Sequence, residues 1–477
     1  MKTPIIVWFR RDLRLSDHPA LHAACRVKRP IIPVLIIDDD VEKLGAAPKW
    51  RFGLGVSHFK ARLGACGSDL VVRRGTARDV LNSIISEVGA SDVFWTRVYD
   101  PQGIARDVTI KRELRAKGIN ACSFCGSLLF EPWKIATETG GFYRVYTPFW
   151  KKVSRLSVAE PLPDLQGFRS PEMWPRSDAF VCTEFEKAMG RGATVVRPYV
   201  QLGEEAAQIR LQRFVDKLVY NYHDNRDRPD LDSTSHLSEH LSLGEISPQM
   251  CWHAGLRAMQ DNPQGAEKFL KELVWREFAY HLMYHTPHIL DANWRTAWDD
   301  FPWNLDKNEE VTAWMQGRTG IPFVDSAMRE MYVTGRMHNR GRMIVASYLT
   351  KHLMTHWTIG QQWFADCLID WDLASNAMGW QWTAGSGPDA SPYFRIFNPA
   401  TQRDKFDPNG TYVNRWIAEL ALEPGEDALS YFDAIPPSWN LSPDDDYPAP
   451  IVSIEDGRKR AMQAYESRRQ RNDMFHS

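Results

Sequence analysis

The segment ELVWREF, residues 272–278, places three chemically active side chains on one face of a helix. Glu272, Trp275 and Arg276 stand at i, i+3 and i+4, the spacing at which helical side chains are neighbours. A Glu–Arg pair at this spacing is ordinary on a solvated helix, but a tryptophan on the same polar face is unusual.

Two further segments could do chemistry, and the first of them suits a site that holds a planar polar ring beside an apolar wall. Asn339, Arg342 and Met343 of MHNRGRM share a helical face and bring together an amide, a charge and a soft thioether. The segment DWDLASNAMGWQW begins with Asp370 and adds a second carboxylate at Asp372. Carboxylates in an apolar setting need partners such as Arg342. Because no histidine or third acid is suitably spaced, the sequence predicts no metal site.

The segment TSHLS, Thr234–Ser238, carries a cluster of hydroxyls downstream of Tyr222 and Arg226. Hydroxyls can donate hydrogen bonds to phosphate oxygens, and Arg226 could add a compensating charge. The alternative interpretation is an ordinary helix N-cap with turn residues.

Composition limits the class of protein that must position these groups. The chain has 477 residues, 43% hydrophobic and 25% charged, with a net charge of −2, which excludes disorder as the main state. No long apolar run or signal-peptide core is present, so we expect a cytoplasmic protein without a membrane span. Seven scattered cysteines fit reduced thiols. Of nineteen tryptophans, a dense group lies between Trp252 and Trp382, which suits a ring-shaped cofactor or stacked bases.

The order of elements predicts two domains and a connection. Residues 1–130 alternate buried strands with amphipathic helices, the pattern of a doubly wound α/β domain, although GxGxxG and GxxxxGK[ST] are both absent. Residues 131–200 are irregular and proline-bearing and read as an inter-domain linker. Residues 201–477 have helical periodicity and predict an all-α domain. The predicted strands are Ile5–Phe9, Ile31–Ile37, Leu70–Arg73 and Val93–Thr96.

Six motifs, in their order along the chain, resemble those of the DNA photolyase/cryptochrome family: WFRRDLRLSDHPAL, TSHLS, ELVWREF, MHNRGRM, DWDLASNAMGWQW and PYFRIFNP. The resemblance covers nearly the whole chain and is closest to the class I type, which repairs cyclobutane pyrimidine dimers. It implies that the helical domain binds FAD folded into a U and that a surface hole admits a dimer flipped out of the DNA duplex. The implied activity is that of deoxyribodipyrimidine photo-lyase, a carbon–carbon lyase that uses one electron from photo-excited, reduced anionic FAD and regains it.

The resemblance also implies roles for individual residues. The positions that would bind FAD are Tyr222, Thr234, Ser235, His236, Leu237, Ser238, Asn339, Arg342, Asp370, Asp372 and Asn376. The positions that would contact damaged DNA are Arg226, Glu272, Trp275, Asn339, Arg340, Met343 and Gln402. The positions with a catalytic role would be Glu272, Asn376 and three tryptophans that carry electrons from the surface to the flavin, Trp380, Trp357 and Trp303. Ultraviolet-damaged DNA would be the partner of a monomeric protein.

Several positions depart from the family pattern. His236 stands where arginine is commoner, and Arg336 replaces a frequent aromatic residue. Residues 100–107 lack the Asn-Glu pair of folate-binding relatives, so a second, antenna chromophore stays open between folate, deazaflavin and none. The alternative function is that of a cryptochrome, a blue-light photoreceptor without repair activity. A (6-4) photolyase is disfavoured, because those proteins carry histidines in place of Asn339 and Met343.

Overall fold

The computed structural model describes residues 3–165, 167–389 and 394–475, and it divides into two compact units. The first unit comprises Met1–Ala188, Gln201–His223 and Thr234–Pro287, and the second comprises Met189–Val200, Asp224–Ser233 and His288–Ser477. The boundaries drawn from composition, at residues 130 and 200, stay a prediction. Within the described ranges, no helix combines the length and the apolar character needed to cross a membrane.

The first unit contains a five-stranded sheet whose neighbouring strands are all parallel, in the order β3-β2-β1-β4-β5. This order confirms the predicted doubly wound α/β fold. The strands are β1 (Ile5–Phe9), β2 (Ile31–Ile37), β3 (Val71–Arg74), β4 (Asp92–Thr96) and β5 (Asn120–Phe124). The sequence did not predict β5, because NACSF at the sheet edge lacks the β-branched run of a strand buried on both faces.

Helices alternate with the strands in the first part of the chain, and the rest of the chain is mainly helical. Proline at the first position and a capping side chain fix several of their starts, as at Asn262, whose side chain accepts a hydrogen bond from the Gly265 amide. The helices up to Pro287 are α1 (Pro19–Arg26), α2 (Asp39–Glu42), α3 (Ala46–Ala65), α4 (Ala77–Val88), α5 (Pro101–Ala116), α6 (Tyr146–Val153), α7 (Gly192–Val196), α8 (Gly203–Arg213), α9 (Val219–Asn225), α10 (Ser238–Leu243), α11 (Pro248–Ala258) and α12 (Pro263–His285).

The second unit is helical, as the periodicity predicts, and its core is unusually rich in buried indoles, including Trp314, Trp357 and Trp380. A π-helical turn, Tyr348–His352, extends one of its helices. Its remaining helices are α13 (Glu309–Met315), α14 (Pro322–Thr334), α15 (Asn339–Ser347), α16 (Trp357–Cys367), α17 (Leu373–Ala384), α18 (Pro399–Phe406), α19 (Thr411–Trp416), α20 (Glu426–Ala434) and α21 (Ile454–Phe475).

Candidate functional site

In the first unit, the TSHLS segment forms a strained loop before α10. His236 has a left-handed backbone with φ of 51°, and its carbonyl oxygen accepts a hydrogen bond from Arg210 Nη1 at 2.6 Å. Arg210 also pairs with the buried carboxylate of Glu239 at 2.9 Å. The N-cap residue of α10 is Leu237, which cannot cap through its side chain. The hydroxyls of Thr234–Ser238 therefore do not serve the N-cap role that the alternative interpretation gave them.

A buried ionic network lies next to this loop in the same unit. Arg51 Nη2 lies 2.6 Å from Glu245 Oε2, and the same oxygen contacts His240 Nδ1. All three side chains are buried. Burial alone raises the pKa of Glu245, but the charge of Arg51 and the hydrogen bond to His240 outweigh that effect and hold it at about 2. Glu245 therefore stays ionised at neutral pH, and its contact with Arg51 ties α3 to the residues that follow the loop.

Glu272 and Trp275 lie half-buried on α12, also in the first unit. The Trp275 indole stacks on Tyr146, with ring centroids 3.7 Å apart and planes inclined by 4°. The Tyr146 hydroxyl donates a hydrogen bond to the Lys271 carbonyl at 2.7 Å, which fixes the phenol against the same helix. Arg276 donates to the Ser127 carbonyl at 2.8 Å and covers the Tyr280 ring. One indole face is thus fixed by Tyr146, which makes Trp275 a rigid aromatic surface.

In the second unit, the predicted carboxylate–guanidinium pair forms. Arg342 Nη2 lies 3.0 Å and 2.8 Å from the two oxygens of Asp370, and Arg342 Nε donates to the Met337 carbonyl at 2.9 Å. Asp372 caps α17 by accepting a hydrogen bond from the Ser375 amide at 2.8 Å. Asn376 Nδ2 donates to the Gln361 carbonyl at 3.0 Å. These bonds hold amide and carboxylate groups in defined orientations.

One face of α17 has the shape that a flat ring needs. Asp372, Asn376 and Gly379 follow one another at i, i+4 and i+7, so they share that face. A Cβ atom built on Gly379 would meet no heavy atom within 4 Å, although this glycine lies inside a helix. Asn339, at the start of α15, is also exposed. The donor set and the side-chain-free surface at Gly379 fit an isoalloxazine and its ribose.

The three predicted electron-carrying tryptophans all lie in the second unit. Trp380 packs so closely on α16 that a Cβ on Gly360 would lie 2.0 Å from its Cη2. The His356 ring contacts both Trp357, at 5.3 Å, and Trp303, at 5.1 Å between centroids. Trp303 is only 7% exposed, so its ring lies largely below the surface.

The indole N–H groups of these tryptophans have no basic partner among the described residues. Trp357 Nε1 donates to the Asn293 side-chain oxygen at 2.8 Å, and Trp303 Nε1 donates to the Thr350 carbonyl at 3.0 Å. Trp380 Nε1 is buried without a hydrogen-bond partner in the described part of the chain. Amide and carbonyl oxygens are poor proton acceptors, so an oxidised indole would keep its proton here.

The predicted phosphate-contacting arginines meet a carboxylate in the second unit. Arg340 Nη2 lies 2.7 Å from Asp227 Oδ2, and Arg226 Nε lies 3.7 Å from Asp227 Oδ1. Arg340 also covers the Phe406 ring at 4.4 Å. Met343 and Gln402 are half-buried. Of the motif at 392–399, Pro392 and Tyr393 lie outside the described residues.

Comparison with known proteins decides the family. The model described as "DNA photolyase" matches residues 5–166, and the model described as "FAD binding domain of DNA photolyase" matches residues 269–467. The chain is 42% identical to the deoxyribodipyrimidine photo-lyase of Agrobacterium fabrum, covering 97% of both chains. The chain belongs to the DNA photolyase/cryptochrome family. Its helical domain is therefore an FAD-binding domain.

Two further relatives show the range of this family. Cryptochrome-1 of Arabidopsis thaliana is 33% identical, with 96% of this chain and 70% of that protein covered. A crystal structure described as a bacterial class III photolyase, from Agrobacterium tumefaciens, superposes with a TM-score of 0.90 at 41% identity, covering 98% of both chains. The relatives do not show the expected class I, which stays a prediction beside this class III neighbour.

The parallel sheet of the first unit has a crevice at the point where its strand order reverses, and doubly wound folds bind ligands at such points. Here that point lies between β1 and β4. Arg10 donates to both carboxylate oxygens of Asp107 at 2.9 Å and to the Thr96 carbonyl, and Trp95 Nε1 donates to Asp107 at 3.0 Å. These side chains cross the crevice. The antenna chromophore stays open between the three alternatives.

Some residues of this family member were missed by sequence reasoning. Tyr146 lies in the segment whose composition predicted a linker, and His356 belongs to none of the motifs. Gly379 lies inside DWDLASNAMGWQW, but no role was predicted for it. A glycine at i+3 from Asn376 on a polar helix face could have been noticed. The Tyr146–Trp275 stack could not, because its partners are far apart in sequence.

Proposed function

We propose that this family member is a light-dependent DNA-repair enzyme that splits cyclobutane pyrimidine dimers. The observation that carries the proposal is the pair Glu272 and Trp275 on one face of α12, with the indole held flat by Tyr146. An aromatic surface contributes roughly 1–3 kcal/mol per stacked base. That contribution offsets part of the cost of extruding a nucleotide, which is smallest at a damaged, poorly stacked site.

In this proposal the flavin is bound by two sets of residues. Tyr222 and the loop Thr234–Ser238 bind its phosphates through hydroxyl and backbone donors. The flavin ring is surrounded by Arg342, which pairs with Asp370, and by the amides of Asn339 and Asn376. Asp372 binds the ribose. When bound in its reduced form, FAD supplies, on blue-light excitation, the electron that the dimer accepts and later returns.

Glu272 is the residue that we assign to the substrate bases. A carboxyl group can hydrogen-bond a pyrimidine carbonyl and share a proton with it while the dimer carries the added electron. Met343 offers an apolar contact. Arg226, Arg340 and Gln402 contact the flanking strand, and such contacts set position and affinity rather than sequence preference.

Trp380, Trp357 and Trp303 are proposed to return the flavin to its reduced state after it is oxidised. The His356 ring between Trp303 and Trp357 supports a continuous aromatic route. Because none of the three indole N–H groups contacts a base among the described residues, an electron vacancy can move between them without proton loss.

The experiment is repair of irradiated oligo(dT). The purified, flavin-loaded protein is mixed with ultraviolet-irradiated oligo(dT) and illuminated with blue light, and the return of thymine absorbance is followed. Recovery in the light and not in the dark is expected. Glu272→Gln should lower the repair yield per absorbed photon, whereas Glu267→Gln, on the same helix, should not.

A second candidate function is that of a cryptochrome, favoured by the 33% identity to cryptochrome-1 of Arabidopsis thaliana. That function keeps flavin binding and the tryptophan route but needs no substrate acid or stacking indole. A protein that binds flavin, is reduced by light and leaves irradiated oligo(dT) unchanged would support it over repair.

A further inference from the structure

Aromatic contacts in the second unit continue beyond Trp303. Trp298 stacks on Trp303, with centroids 5.5 Å apart and planes inclined by 16°. Trp298 in turn lies 6.3 Å from the half-buried Tyr465 of α21, and Phe394 stacks on Tyr465 at 4.6 Å. If contact between the rings were sufficient, an electron vacancy would pass from Trp303 through Trp298 to Tyr465.

A cation lies over the intermediate ring of this series. The Arg468 Cζ is 4.1 Å from the centroid of Trp298, and Arg468 Nε donates to the Ala297 carbonyl at 2.8 Å, which holds the guanidinium in place. Among the side chains that the structure describes, no carboxylate lies within ion-pair distance of Arg468. No described carboxylate therefore neutralises its charge.

We propose that Arg468 stops the electron route at Trp303 by preventing oxidation of Trp298. The inference rests on the proposed function, because it concerns the same tryptophan route. A cation over an indole face stabilises the neutral ring, whose π-face is negative, but repels the radical cation that oxidation would form. At about 4 Å and an effective dielectric constant near 20, the repulsion shifts the equilibrium away from Trp298 by roughly a hundredfold or more.

One electron moves along the route, with or without the charge of Arg468. With oxidised FAD bound and excited by light, Trp380 would give up one electron, Trp357 would refill Trp380, and Trp303 would refill Trp357. Trp303 would be left as a radical cation whose N–H proton stays on the indole nitrogen, hydrogen-bonded to the Thr350 carbonyl. Without the Arg468 charge, Trp298 would refill Trp303. Tyr465 would then refill Trp298 and release its phenolic proton to water.

Other charges near Trp298 do not change this assignment. Lys351 Nζ lies 5.4 Å from the Trp298 centroid and 3.9 Å from that of Phe394, and it donates to the Ala384 carbonyl. Burial lowers the pKa of Lys351 well below its ordinary value, which weakens the charge that this amine places near Trp298. Asp299 and Asp300 are exposed, and water screens their carboxylates.

The test is transient absorption and electron paramagnetic resonance of the oxidised, FAD-loaded protein after a laser flash. The wild-type protein should give a tryptophanyl radical and no tyrosyl radical. Arg468→Gln should give a tyrosyl radical as the main product, which Tyr465→Phe in the same background removes. Arg468→Lys keeps the charge and should behave as wild type. Arg458→Gln, an exposed arginine of α21, is the matched control.

Trp298→Phe in the otherwise wild-type chain is a second, independent measurement. We expect it to leave the radical yield unchanged, because Trp298 is not oxidised. A tyrosyl radical in the wild-type protein, or none in a folded Arg468→Gln variant, would overturn the inference alone. If Trp303→Phe left the wild-type radical signal intact, the proposed electron route itself would fail, and the role of Arg468 with it.

Discussion

Tyr146 stacks on Trp275 with ring planes inclined by only 4° and centroids 3.7 Å apart. The phenol is buried and hydrogen-bonded to α12 through Lys271, whereas the indole is half-buried. A side chain that is stacked on one face loses little further entropy when a base stacks on the other. Tyr146 thus holds the Trp275 indole in one orientation, in which its other face can stack on a planar ligand.

Removal of the phenol should therefore weaken binding of damaged DNA. We expect Tyr146→Ala to raise the dissociation constant for irradiated oligo(dT) roughly tenfold, within the 1–3 kcal/mol of a stacked base. Tyr146→Phe keeps the stack and loses only the hydroxyl bond, so it should stay near wild type. Fluorescence anisotropy in the dark measures both. Equal affinity of a folded Tyr146→Ala variant would refute this role.

Gly379 should control flavin occupancy without controlling stability. Alanine at this helical position meets no heavy atom, so Gly379→Ala should raise the free energy of unfolding of the flavin-free protein by about 0.5–1 kcal/mol. Its methyl group would occupy the surface proposed for the ring, and the purified variant should contain much less FAD. Absorbance at the flavin band and urea unfolding measure the two effects.

Gly360→Ala is the matched contrast. Its Cβ would lie 2.0 Å from Trp380, and overpacking of this kind costs about 1–3 kcal/mol of unfolding free energy. Normal FAD content in Gly379→Ala would show that the ring lies elsewhere.

Glu277 should make stability depend on pH. It is buried, its Oε2 accepts hydrogen bonds from the Leu129 and Phe130 amides at 2.9 and 3.1 Å, and burial raises its pKa to about 7. Because the folded pKa is above the unfolded value of 4.5, this carboxyl stabilises the fold most fully below pH 4.5, and the contribution is lost as the pH rises through 7.

The pH effect can be isolated by substitution. Glu277→Gln keeps an acceptor for both amides but does not titrate. Relative to this variant, the wild-type free energy of unfolding should fall by roughly 3 kcal/mol between pH 4.5 and pH 8. Urea unfolding at several pH values measures the difference. Glu267→Gln removes a half-exposed carboxylate of the same helix and should leave the wild-type pH profile unchanged. Parallel profiles for Glu277→Gln and wild type would contradict the assignment.

Asp227 should oppose DNA binding, because phosphate must displace it from Arg340. We expect Asp227→Asn to bind DNA more tightly, whether or not the DNA is damaged, and to steepen the dependence of affinity on salt by about one ion. Arg340→Ala should have the opposite effect on both quantities. Titrations at several salt concentrations measure the slope. Asp39→Asn, which removes an exposed carboxylate from α2, controls for net charge. An unchanged slope in Asp227→Asn would place Arg340 away from the phosphates.

The sequence by itself determined the fold class, the family and the local groupings. The alternation of buried strands with amphipathic helices along the chain predicted the parallel sheet. The i, i+3, i+4 spacing placed Glu272 beside Trp275, because such a grouping depends only on the periodicity of one helix. The sequence also predicted that Asp370 needs a partner such as Arg342, since a buried carboxylate needs a cation.

Only the tertiary structure decided what each group contacts across elements. The stack of Tyr146 on Trp275, the Asp227 partner of Arg340, the burial of Trp303 and the guanidinium over Trp298 all join residues from separate elements. Such contacts depend on how helices and loops pack, which the spacing within one segment does not encode. The sequence therefore determines the chemical type of each side chain. The fold determines the environment of that side chain, and the environment sets its charge state and redox role.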